Sequence, residues 1–255
     1  MIKAMRLEWH LILLAVQFLT RIPVPRDLPF SDDLLIRATK YYPLVGGLVG
    51  AICGAVLYGA ALVWPMAVAV LLAMATGLLV TGAFHEDGLA DAADGLGGGL
   101  DKAKALEIMR DSRIGTYGAV TLGCVLALKA AALMALGPAQ AALALVAGHV
   151  WGRMAAVHVI ATTGYARDVG AKFVAPSVTP DGYRVALGKS LAILGVVILG
   201  FGLWAALLSA LVCIALAQGF RRIVLRKLGG YTGDCLGGTQ QLGELGVYLG
   251  LLAWL

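Results

Sequence analysis

Four carboxylates fall within nine residues in His85-Glu86-Asp87-Gly88-Leu89-Ala90-Asp91-Ala92-Ala93-Asp94-Gly95, directly after an apolar run long enough to cross a bilayer. On a helix, Asp87, Asp91 and Asp94 stand at i, i+4 and i+7 and share one face. Carboxylates that close repel unless a cation joins them or a proton neutralises one. Oxygen-only ligands favour Mg²⁺, Mn²⁺ or Ca²⁺ over zinc. The stretch therefore predicts a hard-metal site with Asp87, Asp91 and Asp94 as ligands. The competing readings are a solvated acidic loop and a carboxylate path for ions or protons in a transporter.

Two further stretches carry chemistry. In Arg110-Asp111-Ser112-Arg113-Ile114-Gly115, two arginines bracket an aspartate just before a span. Guanidinium offers paired planar donors that suit phosphate, although the same residues would serve as positive-inside anchors. In Gly229-Gly230-Tyr231-Thr232-Gly233-Asp234-Cys235, glycines allow backbone donors to approach an anion. Asp234 opens the last apolar run as a helix N-cap or as a further ligand or base. Glu244 follows at membrane depth, where an unpaired carboxylate is costly, so it should face the bundle interior. His85 adjoins the acids and suits phosphate binding or proton transfer. His149 and Arg153 share a helical face within one span.

The elements that must position these groups are transmembrane helices. Hydrophobic residues make up 60% of the 255 and charged residues 14%, against about 25% charge in a soluble domain. The mean hydropathy is +0.86, and 34 glycines suit packed transmembrane helices. Spans are expected at Pro43–Trp64, Pro65–Phe84, Ile114–Leu136, Ala139–Ile160, Leu187–Leu203, Ala205–Phe220 and Gly237–Leu255. The pair around Trp204 could equally be one long broken helix. Glu8–Thr20, with basic residues on both sides, reads as an interfacial helix that Pro23 and Pro25 stop. No secretory signal with a small-residue cleavage site is expected. The fold class is thus an all-α, polytopic integral membrane bundle of about seven spans plus this helix, with residues 1–255 as a single domain.

The turns at Trp64–Pro65, Gly137–Pro138 and Trp204 carry no charge, whereas most Lys and Arg residues fall in the other connections. The positive-inside rule puts those connections, and with them the acids, on the cytoplasmic side of the membrane. The net charge of +5 does not signal nucleic acid, because the basic residues flank apolar runs and form no patch. Cys53, Cys124 and Cys213 read as buried spacers within spans, and Cys235 as a spacer beside Asp234. Thr162–Ala186 is the longest polar connection, either a cover for a site or a tether.

Phe18-Leu19-Thr20-Arg21-Ile22-Pro23-Val24-Pro25, the acidic stretch, Arg110-Asp111-Ser112-Arg113-Ile114-Gly115-Thr116-Tyr117-Gly118 and Thr232-Gly233-Asp234 together resemble the cobalamin synthase family. The resemblance runs in order over nearly the whole chain. It departs at Glu86, where the family often has an apolar residue. It implies Mg²⁺-dependent transfer of the cobinamide-phosphate group of adenosylcobinamide-GDP to α-ribazole or its 5′-phosphate, with GMP leaving. Glu86, Asp87, Asp91, Asp94 and Asp234 are then the catalytic candidates, and His85, Arg110, Asp111, Arg113 and Glu244 the substrate-binding ones. The expected partners are the two substrates, the lipid bilayer and, as an open alternative, a second copy of the chain. A phosphotransferase of the CDP-alcohol type and a cation-coupled transporter are the rival functions; acids gathered at one membrane edge favour an enzyme.

Overall fold

Glycine spacing decides how the helices pack. Gly46, Gly50 and Gly54 repeat every four residues and so line one face of a helix. In the structure, a computed structural model that describes residues 2–167 and 176–255, that face lies directly on the backbone of a second helix. A Cβ at Gly50 would lie 2.7 Å from the Leu145 carbonyl oxygen. Where lipid gives no hydrophobic drive between helices, such close backbone approach supplies the packing.

The described residues form α1 (Ile2–Leu19), α2 (Asp32–Ala38), α3 (Tyr42–Ala61), α4 (Met66–Thr81), α5 (Phe84–Gly98), α6 (Lys102–Ile108), α7 (Thr116–Met134), α8 (Pro138–Thr162), α9 (Pro180–Phe201), α10 (Leu203–Leu228) and α11 (Gly233–Leu252). A single 3₁₀ turn joins α2 to α3. The Gly46–Gly54 contact pairs α3 with α8. On its far side α8 meets α11, where a Cβ at Gly152 would lie 2.6 Å from the Gln240 carbonyl oxygen. The opposite face of α11 meets α10, where a Cβ at Gly246 would lie 2.6 Å from the Cys213 Cα. Thus α11 is enclosed, and its Gly237–Leu251 stretch is buried at nearly every position. The helices α9 and α10 are separate, broken at Gly202, whose φ of +88° lies in a region that favours glycine.

The protein is a polytopic helical membrane protein. Among the described residues, five helical runs are long and apolar enough to cross a membrane: α3 with the turns before it, α7, α8, α9 and α10. The two other expected spans, α4 and α11, do not pass that test by themselves. The first is α4, which qualifies only together with α5, and the two are bent by 88°. Gly82 (φ +68°) and Ala83 (φ +58°) make that corner. We read α5 as running along the membrane edge. The second is α11, which carries Gln240, Gln241 and Glu244 and is covered by protein on all sides, so it need not be apolar enough to face lipid. Trp64, Trp204 and Trp254 are all exposed at the charge-free end, in the manner of an interfacial aromatic belt.

The N-terminal helix extends beyond the expected Glu8–Thr20, to Ile2–Leu19. Its buried side, Leu11, Leu14, Ala15 and Leu19, packs into the core. Cys53 and Cys213 are buried as expected, but Cys124 is exposed on the outer face of α7. The short helices α2 and α6 escaped the hydropathy reading because they are polar. Ser31 and Asp101 cap them, accepting from the Leu34 and Lys104 N–H groups. Residues 168–175 of the Thr162–Ala186 connection lie outside the described residues.

Replacing Gly50 by Leu should force α3 from α8 and cost on the order of 3 kcal/mol or more. Thermal unfolding in detergent should show a marked loss for Gly50→Leu and little change for Gly59→Ala, because the Gly59 position has open space around it. Equal melting temperatures for the two variants would contradict the packing argument.

Candidate active site

Glycine also brings the acids together. Helix α5 crosses the first turns of α11 at Gly88 and Gly237; a Cβ at Gly88 would lie 3.1 Å from the Asp234 carbonyl oxygen, and one at Gly237 would lie 2.9 Å from that of His85. This crossing sets Asp87 and Asp91 beside Asp234. Thr232, not Asp234, is the N-cap of α11, accepting from the Cys235 N–H at 3.3 Å. Asp234 is therefore free to pair sideways, and its Oδ2 accepts from Arg167 Nη2 at 2.8 Å. Arg167 was not singled out in the sequence because it lies alone in a polar connection. It is placed by a backbone bridge in which the Ala166 N–H donates to the Tyr231 carbonyl (2.8 Å) and the Tyr231 N–H donates to the Gly164 carbonyl (2.9 Å).

At 100° per residue Asp87, Asp91 and Asp94 keep to one side of α5 and Glu86 is turned away from them, but the neighbours they meet along the helix differ. Asp87 is exposed and Asp91 half-buried on the face toward Asp234. Burial, together with the charges of Asp87, Asp234 and Asp94, pushes Asp91 up to about 6. Burial likewise raises Asp234, against the pull of Arg167. Glu86 turns inward, where its Oε1 accepts from Gln241 Nε2 at 2.8 Å. It therefore turns away from Asp87 and Asp91.

Asp94 turns to α7. Its Oδ2 accepts from the Gly115 N–H at 2.7 Å and its Oδ1 from the Gly118 N–H at 2.8 Å. A carboxylate on a helix N-terminus satisfies orphan donors and complements the helix dipole. Asp94 so tethers α7 to α5, with both oxygens engaged. Among the described residues, no three His, Cys, Asp or Glu side chains converge closely enough to hold a metal ion in this arrangement. The donors best placed to take one are Asp87 and Asp91, with Asp234 facing them.

The Arg110–Asp111–Arg113 group lies away from this cluster in its contacts. Arg113 folds back on Asp111, Nε to Oδ1 at 3.0 Å and Nη2 to Oδ2 at 2.6 Å, and both face solvent. That pairing holds Asp111 down to about 2. Arg110 is exposed. The arginine that meets an acid of the cluster is Arg167.

Glu244 lies ten residues along α11 from Asp234, about 15 Å by helical rise. It is inside the bundle as expected, away from the face that carries Asp87, Asp91 and Asp234. Lys129 Nζ (2.8 Å), Gln240 Nε2 (2.7 Å) and Tyr248 OH (2.7 Å) surround it, with His149 Nδ1 at 3.4 Å. Arg153 donates to the His149 carbonyl at 3.2 Å. His85 is buried at the junction between this network and the acidic face.

Above this junction lies a cavity of about 300 Å³ between the ends of α1 and α8 and the starts of α3, α5 and α11. Asp87, Arg167 and Asp234 line its polar end, and Phe18, Tyr42, Phe84 and Ile160 its apolar end. A volume of that size is at the lower end of the range for small-molecule sites.

Changing Asp94 to Ala should free the start of α7 and cost about 1–3 kcal/mol. Hydrogen exchange measured by mass spectrometry should rise in peptides covering Gly115 and Gly118. Unchanged protection there would show that the tether is dispensable.

The chain is similar to known proteins over nearly its whole length. Residues 11–252 match the model of the cobalamin-5-phosphate synthase family. The chain is 45% identical to an adenosylcobinamide-GDP ribazoletransferase of Leptothrix cholodnii, covering 96% of each chain. It is 46% identical to that of Ralstonia nicotianae, covering 100% of this chain and 99% of the relative. It is 40% identical to that of Vibrio parahaemolyticus, covering 98% and 94%. No solved structure matches the chain. With a family model spanning almost its whole length and relatives this similar end to end, the chain belongs to the cobalamin-5-phosphate synthase family.

Proposed function

We propose that this protein transfers the cobinamide-phosphate group of adenosylcobinamide-GDP to a hydroxyl of α-ribazole or its 5′-phosphate, releasing GMP. The observation that carries the reading is the meeting of the α5 acids with the Asp234–Arg167 pair at the polar end of one cavity. Phosphoryl transfer needs charge neutralisation on pyrophosphate, an acceptor for the hydroxyl proton and in-line positioning. Arg167 supplies a planar fork for phosphate, and in the absence of substrate Asp234 holds that fork in place. Asp91 and Asp234 are the acids whose surroundings hold a proton more tightly than an ordinary carboxylate does, which suits one of them to accept the hydroxyl proton. The names of the relatives supply the substrate identities.

A divalent cation suits the chemistry of these oxygen donors, and since no three of them converge as placed, Asp87, Asp91 and Asp234 would draw together around it. Asp87, Asp91 and Asp234 present hard oxygen donors, and Asp91 carries mutual repulsion that a proton or a cation relieves. When bound, Mg²⁺ would neutralise pyrophosphate oxygens and the charge leaving on GMP. Asp94 contributes from behind, by holding α5 against α7. The positive-inside rule supports placing this face in the cytoplasm of a bacterial cell, with the chain in the inner membrane.

The direct test is GMP release from adenosylcobinamide-GDP and α-ribazole by the purified protein in liposomes. Asp91→Asn should lose on the order of 10²-fold or more in turnover while remaining folded. Arg167→Lys should fall similarly, because ammonium cannot reproduce the fork, whereas Arg113→Lys should lose far less. Full activity in both Asp91→Asn and Arg167→Lys would remove the reading. A second test uses no turnover. A carboxyl whose folded pKa is raised stabilises the fold below its unfolded pKa and loses that contribution as pH rises through about 6. In EDTA, the protein should therefore melt at a higher temperature at pH 5 than at pH 7.5. Asp91→Asn should shrink the difference, and Mg²⁺ at pH 7.5 should raise the melting temperature of the parent protein. Melting that is independent of Mg²⁺ would contradict the cation site.

A further inference from the structure

The apolar end of the cavity is built from three aromatic rings on three elements. Phe18 ends α1, Tyr42 opens α3 and Phe84 opens α5. Phe18 stacks on Tyr42 with centroids 5.8 Å apart and planes at 11°. Phe84 meets Phe18 edge-on at 5.7 Å and 77°. Tyr42 is buried, yet Phe18 and Phe84 remain 43% and 47% exposed. Large rings left open beside Asp87, Asp234 and Arg167 form a site with one carbon-lined half and one charged half. Such a site fits a ligand with a flat apolar ring at one end and a hydroxyl or phosphate at the other.

Resting on the transfer reaction proposed above, we infer that this aromatic wall is the seat of the acceptor's base and selects a ring system with few polar edge atoms. The flat groups in that reaction small enough for a cavity of about 300 Å³ are the guanine and the adenine of the donor and the base of the acceptor, and adenine, like guanine, is polar at its edge. Guanine carries donors and acceptors around its edge, and burying them against Phe18, Phe84, Leu19 and Ile160 would leave them unpaired. An apolar base loses nothing there and gains stacking area. With its base on the rings, the acceptor's ribose extends toward Asp87 and Asp234, where its hydroxyl is to be activated. The wall thereby discriminates against purine acceptors by the same unpaired-polar-group penalty. A lipid chain is the rival occupant, and the test separates the two.

The experiment compares the parent protein with Phe84→Leu and Phe18→Leu, conservative changes at half-exposed positions. Stacking on an aromatic side chain is worth about 1–3 kcal/mol per base, so each variant should raise the KM for α-ribazole about tenfold or more. The KM for adenosylcobinamide-GDP should stay put. Equilibrium dialysis of α-ribazole alone against each protein should show the same weakening, whether or not turnover is seen. The parent should also prefer α-ribazole over its α-linked adenine counterpart by about tenfold or more in kcat/KM. An unchanged acceptor KM and dialysis constant in both variants would overturn the assignment. So would equal use of the adenine acceptor. Loss of co-purified phospholipid in Phe84→Leu with acceptor binding unchanged would make the wall a lipid seat. Absence of GMP release by the parent, with acceptor binding weakened in the variants, would count against the transfer reaction and leave the base subsite standing.

Discussion

A carboxylate deep in a membrane bundle must be paired, and Glu244 fixes much of the architecture through that demand. Its partners come from two helices besides its own: Lys129 on α7 and His149 on α8. A third helix joins through Gln241, which bonds Lys129 at 2.9 Å and Glu86 of α5 at 2.8 Å. Four helices are therefore held in one register by polar bonds that lipid cannot replace. Sliding any of them by a residue would strand a buried charge. Glu86 Oε2 and Arg153 Nε and Nη2 have no protein partner among the described residues. They belong to residues lining a cavity of about 30 Å³, room for about one water, which can satisfy several such groups at once.

That register determines the surface chemistry. Once Glu86 is turned inward to Gln241, helical geometry turns Asp87 away from it and Asp91 follows one turn later on the same face as Asp87. Asp94, two turns beyond Asp87, meets the start of α7, where its two hydrogen bonds lock the second end of α5. One short helix is thus clamped inside by a glutamate and sideways by an aspartate. Asp87 and Asp91, between the clamps, have no such ties and are left to face Asp234. The repulsion stored in that group is tolerable because α5 lies at the membrane edge, where water or a cation can reach it.

The parts of this arrangement that follow from periodicity were legible in the sequence, and those that follow from long-range pairing were not. The shared face of Asp87, Asp91 and Asp94, the inward turn of Glu244 and most spans come from local spacing. The division of labour among the four acids does not, because it depends on which neighbour each meets. Hydropathy read α11 like a lipid-facing span, since a helix wrapped by protein and a helix facing lipid draw on similar residues. Its glycines and glutamines mark the difference only when set against α8 and α10. Arg167 was invisible for a related reason: a two-bond backbone bridge to Tyr231 places it, and no local pattern announces such a bridge.

The N-terminal stretch Phe18–Pro25 acquires a physical role only through the corner between α4 and α5. Ala83 adopts a left-handed conformation that costs a residue with a side chain roughly 1–2 kcal/mol. Something must hold the chain there. The Arg21 N–H donates to the Val80 carbonyl at 2.7 Å, and the Arg21 guanidinium packs over Gly82 so closely that a side chain at that glycine would collide with it. Thr20 fixes the approach by bonding the Val16 carbonyl and accepting from the Ile22 N–H. The prolines that follow cannot continue the helix, so the segment stays extended across the corner. The same few residues that end α1 therefore brace the turn that takes α5 out of the membrane, and they carry Phe18 to the cavity wall as they do so.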